Sequence, residues 1–202
     1  SDSDHRLPFL EKSQIKSAQK INEKTAKALK HKFGEGYKGI LYGGFIATNS
    51  GVQLIEYNAR FGDPEAMNVL SILDSDLIEI CEAIISENLN NTKIIFKNLA
   101  TVCKYAVPDG YPDDPVRGHQ IDVSKVKDKN MLFYASVENK NDNLIQLGSR
   151  TIAVVGHGET IWEAEQIAEK NILKVKGPLF HRKDIGTTNL IQKKINHMSS
   201  LK

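Results

Sequence analysis

The chain has little cysteine, and what it has follows no ligand pattern. Cys81 and Cys103 sit in apolar contexts outside any CxxC or His-rich cluster, which reads as buried free thiols in a reducing compartment. The six histidines are scattered, without an i,i+4 pair or an HxH, so no His-based zinc site is predicted. An excess of one charge is also missing. Lys and Arg number 27 against 25 Asp and Glu, for a net charge of +2. That is too weak an excess to argue for nucleic acid, whose binding needs a concentrated basic patch. No apolar run approaches the ~20 residues of a membrane helix. The polar, acidic Ser1–Leu10 does not have the form of a signal peptide, and there is no GxxxxGK[ST] phosphate loop. Together these absences predict a cytoplasmic protein with neither a nucleic-acid nor a membrane partner.

What is present suffices for a globular protein of one or two domains: 202 residues, 40% hydrophobic and 26% charged. Over Glu11–Lys32, Ile15, Ala18, Ile21, Ala28 and Leu29 recur near helical spacing, which predicts an amphipathic helix stopping at Gly34. Lys38–Thr48 and Val52–Asn58 are apolar and separated by Thr48-Asn49-Ser50-Gly51, a hairpin pattern. Gly43-Gly44 inside the first strand predicts a bulge or a close backbone approach. Helices are expected over Pro64–Leu73 and Asp76–Glu87. A boundary falls in the Asn-rich stretch Asn88–Asn98. Beyond it, short strands are expected at Ala100–Val107, Met131–Val137, Asn143–Leu147 and Thr151–Val155, with a hairpin turn at Asn139–Asn143. Gly156-His157-Gly158 reads as a strand-to-helix turn. One helix follows over Glu159–Val175, stopped by Gly177-Pro178, and Gln192–Lys202 reads as a frayed polar tail.

The most informative segment is Leu54-Ile55-Glu56-Tyr57-Asn58-Ala59-Arg60-Phe61-Gly62-Asp63-Pro64-Glu65. Side chains alternate along a strand, so Ile55 and Tyr57 share one face. Glu56 and Asn58 share the other, about 7 Å apart along the strand, and Arg60 joins them if the strand runs that far. A carboxylate and a carboxamide oxygen so placed can both reach a hard cation, and Mg²⁺ completes its shell with substrate phosphates. An Arg just beyond can fork onto a phosphate or carboxylate. Asp63 before Pro64 is a helix cap with proline at the first helical position, and it can equally orient a substrate amine. Glu65 suits the first turn of a helix. The competing reading of Glu56 and Asn58 is a solvated polar strand face.

Glu56-Tyr57-Asn58-Ala59-Arg60-Phe61-Gly62-Asp63-Pro64-Glu65 resembles the metal-binding motif of the phosphoribosylamine–glycine ligases, a family of the ATP-grasp superfamily. The E-x-N core recurs across ATP-grasp ligases, whereas the R-F-G-D-P-E extension is more selective. Tyr37-Lys38-Gly39-Ile40-Leu41-Tyr42-Gly43-Gly44, Ser75-Asp76-Leu77, Gly110-Tyr111-Pro112 and His181-Arg182-Lys183-Asp184-Ile185-Gly186 fit the same family. The resemblance runs from about Ser1 to Thr188.

It implies an α+β fold: residues 1–97 as the second half of an ATP-grasp domain, an antiparallel sheet with helices, then a small mixed β/α C-terminal domain over 98–190 and a polar tail over 191–202. It implies Glu56 and Asn58 as ligands of Mg²⁺ or Mn²⁺, Arg60 at the ATP phosphates or the substrate, and Asp63 at the substrate amine. ATP, glycine and 5-phosphoribosylamine are the implied substrates, in purine biosynthesis. The family's enzymes are much longer, and their nucleotide-gripping part is expected to precede Ser1. The remaining N-terminal part of the same enzyme is therefore the expected partner, and the chain alone is expected to be inactive. Two competing readings are another ATP-grasp carboxylate–amine ligase and a non-catalytic structural module. For Arg182–Gly186, packing against the ATP-grasp body is the default expectation.

Overall fold

The computed structural model describes residues 1–201 and divides into two compact units, Leu7–Lys97 with Gln192–Lys202, and Ser1–Arg6 with Asn98–Ile191. Both contain helices and antiparallel strands, the α+β composition expected.

In the first unit, helix α1 (Lys12–Phe33) opens with a capping box between Glu11 and Gln14 and ends at Gly34, whose left-handed φ of 82° needs no Cβ. The hairpin follows as β1 (Tyr42–Thr48) and β2 (Gly51–Asn58), a sheet of two strands. Its register slips between Gly44 and Phe45: Gly44 faces Glu56 but Phe45 faces Leu54, leaving Ile55 unpaired. The close approach expected of Gly43-Gly44 is real as well. A Cβ on Gly43 would lie 2.6 Å from the Phe45 ring and 3.1 Å from Asn22 Oδ1. Tyr57 secures the same side of the sheet to α1, its hydroxyl donating to Asn22 Oδ1 at 2.9 Å and pairing with Thr25 Oγ1 at 3.1 Å.

Helix α2 runs only from Glu65 to Leu70 and α3 from Leu77 to Ile85. Asp76 caps α3 by accepting from the Ile78 and Glu79 amides. Its only charged side chains, Glu79 and Glu82, share one exposed stripe; Ile80 and Ala83 are buried, whereas Ile78 and Ile85 are 69% and 70% exposed. Cys81, expected to be buried, is exposed; it belongs to the wall of an apolar groove of about 420 Å³ with Leu73, Leu77, Ile84, Ile94 and Phe96. The tail expected to fray is instead helical: helix α5 spans Thr188–Ser200, and Lys194 lies 5.0 Å over the Phe9 ring. Its Leu190, Ile191, Ile195 and Met198 recur at helical spacing.

The second unit holds nearly all of the buried apolar side chains. Strands β3 (Ala100–Pro108), β5 (Leu132–Tyr134), β8 (Ile152–Gly158) and β9 (Leu179–His181) form a sheet in the order β5-β8-β3-β9. Strands β4 (Gln120–Ile121), β6 (Val137–Lys140) and β7 (Asn143–Gln146) form a second, in the order β4-β7-β6. The hairpin turn is Asn141-Asp142, both left-handed. Strands β4 and β9 are too short to show a periodicity and were not legible in the sequence. Helix α4 (Ile161–Ile172), capped by a Thr160–Glu163 box, lies on β3 and β8. Gly156 and Gly158 belong to β8 rather than to a turn, because they pair with Val102 and Ala100 of β3; a Cβ on Gly156 would sit 2.0 Å from the Ala164 carbonyl oxygen, so glycine there admits α4.

Under α4 lies a buried ionic network. Lys104 Nζ, fully buried, donates to Glu165 Oε1 and Glu169 Oε2, both at 2.6 Å, and to the Lys183 carbonyl at 3.0 Å. His181 Nε2 lies 3.1 Å from both Glu169 oxygens. Burial opposes the Glu169 charge, yet hydrogen bonds from Lys104 and His181 hold its carboxyl below the ordinary carboxylate range. His181-Arg182-Lys183-Asp184-Ile185-Gly186 is therefore anchored within its own unit. Ile185 packs on Ala100, Val102, Ala164 and Ala168, and Gly186, with φ 82°, abuts Val102.

Candidate active site

The exit of the β1–β2 hairpin gathers the polar side chains singled out in the sequence. Directly opposed residues of an antiparallel pair share a face. Tyr42 stands opposite Asn58 and Gly44 opposite Glu56, so Tyr42, Asn58 and Glu56 occupy one face, with Tyr57 turned to the other. The Glu56 stem lies alongside Gly44: a Cβ there would meet Glu56 Cγ at 3.6 Å, an ordinary contact. Asn58 Nδ2 donates to Glu56 Oε1 at 3.1 Å. The carboxamide oxygen and the second carboxylate oxygen remain as acceptors on the same face.

Arg60 departs from the expectation. Strand β2 ends at Asn58, and Arg60 sits in a bend beyond it, with Nη1 donating to the Phe61 carbonyl at 2.9 Å. It does not continue the strand face. Asp63 departs too. Pro64, not Asp63, is the residue flanking α2, and the amides of Ala66 and Met67 bond to the carbonyls of Gly62 and Pro64, so Asp63 is exposed one position ahead of the cap.

Tyr42 and Glu65, the latter read in the sequence only as a first-turn acid, join the cluster. A Cβ on the buried Gly62 would lie 2.6 Å from Glu65 Oε2 and 3.1 Å from Tyr42 Cε1, so phenol and carboxylate meet over this glycine. Burial first, then the charge and hydrogen bond of Glu65 and the charge of Glu56, push the Tyr42 phenol above its ordinary range. The sequence signal for this pairing was weak. A tyrosine beginning one strand and a glutamate opening a helix meet only because the chain folds back between them.

The donor set consists of oxygens, which suits a hard cation. Among the described residues no group of three or more His, Cys, Asp or Glu is arranged to hold a metal. A cation on Glu56 and Asn58 would thus take the rest of its shell from phosphate oxygens and water, the manner of binding Mg²⁺ favours. No helix among the described residues is long and apolar enough to cross a membrane.

Comparison with known proteins assigns the lineage of this site. The profile of the phosphoribosylglycinamide synthetase ATP-grasp (A) domain matches residues 3–66, which contain the whole cluster, and that of the phosphoribosylglycinamide synthetase C domain matches residues 101–188. The phosphoribosylamine–glycine ligase of Methanocaldococcus jannaschii is 52% identical over 202 residues, covering 98% of this chain and 45% of that protein. The ligase of Methanosarcina barkeri is 47% identical over 202 residues, covering 100% of this chain and 46% of its own length. The chain thus spans about half the length of the curated relatives it matches. The crystal structure of the Thermotoga maritima phosphoribosylamine–glycine ligase superposes with a TM-score of 0.73 at 26% identity, over 87% of this chain and 44% of that one. With both domain profiles matched in order and the E-x-N face formed at the hairpin exit, the chain belongs to the phosphoribosylamine–glycine ligase family and carries part of its ATP-grasp domain followed by its C domain.

Proposed function

We propose that this chain acts in the ATP-dependent joining of glycine to 5-phosphoribosylamine, giving glycinamide ribonucleotide, ADP and phosphate in the cytoplasm. The observation that carries the reading is the shared face of Glu56 and Asn58, linked at 3.1 Å, inside the ATP-grasp match.

A carboxylate is a poor electrophile, so the γ-phosphoryl group of ATP passes to the glycine carboxylate to give an acyl phosphate. The amine of phosphoribosylamine attacks its carbonyl carbon, and phosphate leaves with the C–O bonding electrons. Mg²⁺, or Mn²⁺, neutralises phosphate charge and aligns the transfer when bound. Glu56 and Asn58 would hold it, Glu56 as a ligand rather than a general base. Arg60, on the bend after β2, would clamp the transferring phosphoryl group or the glycine carboxylate after swinging from the Phe61 carbonyl. Asp63, exposed beyond the bend, would orient the attacking amine. No side-chain nucleophile is required.

The test is glycine- and phosphoribosylamine-dependent ADP release by the complete ligase. Glu56→Ala and Asn58→Ala are each expected to lower it by several kcal/mol of transition-state stabilisation, on the order of a hundredfold or more. Unchanged turnover in either variant at limiting Mg²⁺ would remove the assignment.

A further inference from the structure

We propose that Tyr42 and Glu65, closing over the bare Cα of Gly62, form a positioning pair that holds the Glu56–Asn58 face in shape for a divalent cation. The proposal deepens the metal reading given above and rests on it.

Tyr42 and Asn58 are the last opposed pair of the β1–β2 ladder. Ladder ends open readily unless something beyond the final pair closes them. Asn58 therefore needs a second restraint if its carboxamide oxygen is to stay aligned with Glu56. The chain supplies one by turning back. The Gly62 carbonyl accepts from the Ala66 amide at 2.8 Å, tying the bend to the first turn of α2. That turn carries Glu65 to the edge of the Tyr42 ring. Tyr42 is fixed by β1 and Glu65 by α2, so their contact joins two elements across the segment bearing Arg60 and Asp63.

Gly62 makes the closure sterically possible. Glu65 Oε2 and Tyr42 Cε1 lie 2.6 and 3.1 Å from where a Cβ would be, so a side chain there displaces the Glu65 carboxylate. The Tyr42 phenol hydrogen-bonds the Glu65 carboxylate. The phenol, as a hydrogen-bond donor, keeps Glu65 turned toward the ring. In this arrangement Glu65 acts through Tyr42 on Asn58 and does not itself ligate the cation.

Mn²⁺ is the probe, titrated without nucleotide into the complete ligase while electron paramagnetic resonance follows the free ion. Thermal unfolding is recorded beside it, and the Asn58 side-chain amide is observed by NMR in the metal-free protein. Glu56→Gln is expected to weaken Mn²⁺ by at least tenfold. Tyr42→Phe and Glu65→Gln are each expected to weaken it by about tenfold, as partners behind metal ligands do. The double variant should be no weaker than the weaker single one, because the two act as a unit. Thermal midpoints stay unchanged, and the Asn58 amide signals broaden in both single variants. Mn²⁺ affinity untouched by Glu56→Gln would overturn the metal reading itself. Affinity lost in Glu56→Gln but kept in Tyr42→Phe and Glu65→Gln would overturn the positioning role alone. Loss in Glu65→Gln without loss in Tyr42→Phe would make Glu65 a direct ligand, which also overturns it. If a variant unfolds, Gly62→Ala substitutes for it, with the same expected loss and the same reversal if affinity is retained.

Discussion

The two units of this molecule bury apolar surface very differently. From the first, only Ile72, Ile80 and Ala83 reach the fully buried apolar set; every other member lies from Ala100 onward. Helix α1 has no buried residue in 22, and its hairpin leaves Ile46 and Ile55 half exposed or more. The second unit closes a core between its four-stranded sheet and α4, and encloses an ionic network beneath it. The candidate site belongs to the loosely packed unit. Binding segments are drawn from the less stable parts of a fold, while a closed core contributes stability. Helix α3 fits the same contrast, leaving Ile78 and Ile85 exposed beside its Glu79 and Glu82.

The largest effect should come from the buried network. Lys104→Ala strips two carboxylates of their cation, with Glu165 only 6% exposed. A loss of about 3–5 kcal/mol is expected on urea unfolding. A loss below about 1 kcal/mol would mean that water reaches the network and that the core is less closed than described.

Next comes a matched pair of truncations. Ile152 is fully buried on β8, and Ile152→Ala should cost about 2–5 kcal/mol. Ile55, 65% exposed at the bulge, should tolerate Ala within about 0.5 kcal/mol. Equal costs at the two positions would erase the contrast.

Smaller still is the difference between adjacent glycines. Gly43→Ala meets the Phe45 ring, which must move, at about 1–3 kcal/mol. Gly44→Ala meets Glu56 Cγ and the Glu56 carbonyl oxygen at ordinary contact distances and should leave the thermal midpoint nearly unchanged. The reverse order would mean that the bulge register is misassigned.

The pH response should separate the units as well. Glu169 has a folded-state value below its ordinary 4.5, so its stabilisation is present above that pH and is lost as pH falls through the lowered value. The acid limb of unfolding of the second unit should flatten in Glu169→Gln. The first unit's Lys38–Glu87 pair, 2.8 Å apart, likewise raises Lys38 and lowers Glu87, through their hydrogen bond and charges. It is exposed, and Glu87→Gln should leave the unfolding midpoint within measurement error. Circular dichroism of the three proteins between pH 3 and 7 distinguishes the outcomes.

Period and punctuation alone determined much of this protein. The amphipathic α1 with its glycine stop, the hairpin delivering Glu56 and Asn58 to one face, the long β3 and α4 all follow from spacings of 2 or 3.6 residues and from turn residues. Those signals are local, and the resemblance carried by Glu56–Glu65 is local too. Tertiary structure decided what depends on residues far apart in sequence. Lys104 meets Glu165, Glu169 and His181 only because β3, α4 and β9 pack together. Gly156 belongs to a strand because it pairs with Val102 of β3, and α4 passes within contact of its Cα. Arg60 leaves the strand face because β2 loses its partner after Tyr42, and Tyr42 meets Glu65 because the chain reverses over Gly62. Periodicity specifies which way a side chain points along its own element. Which groups then face one another is set by burial and steric fit between elements, and no local pattern encodes it.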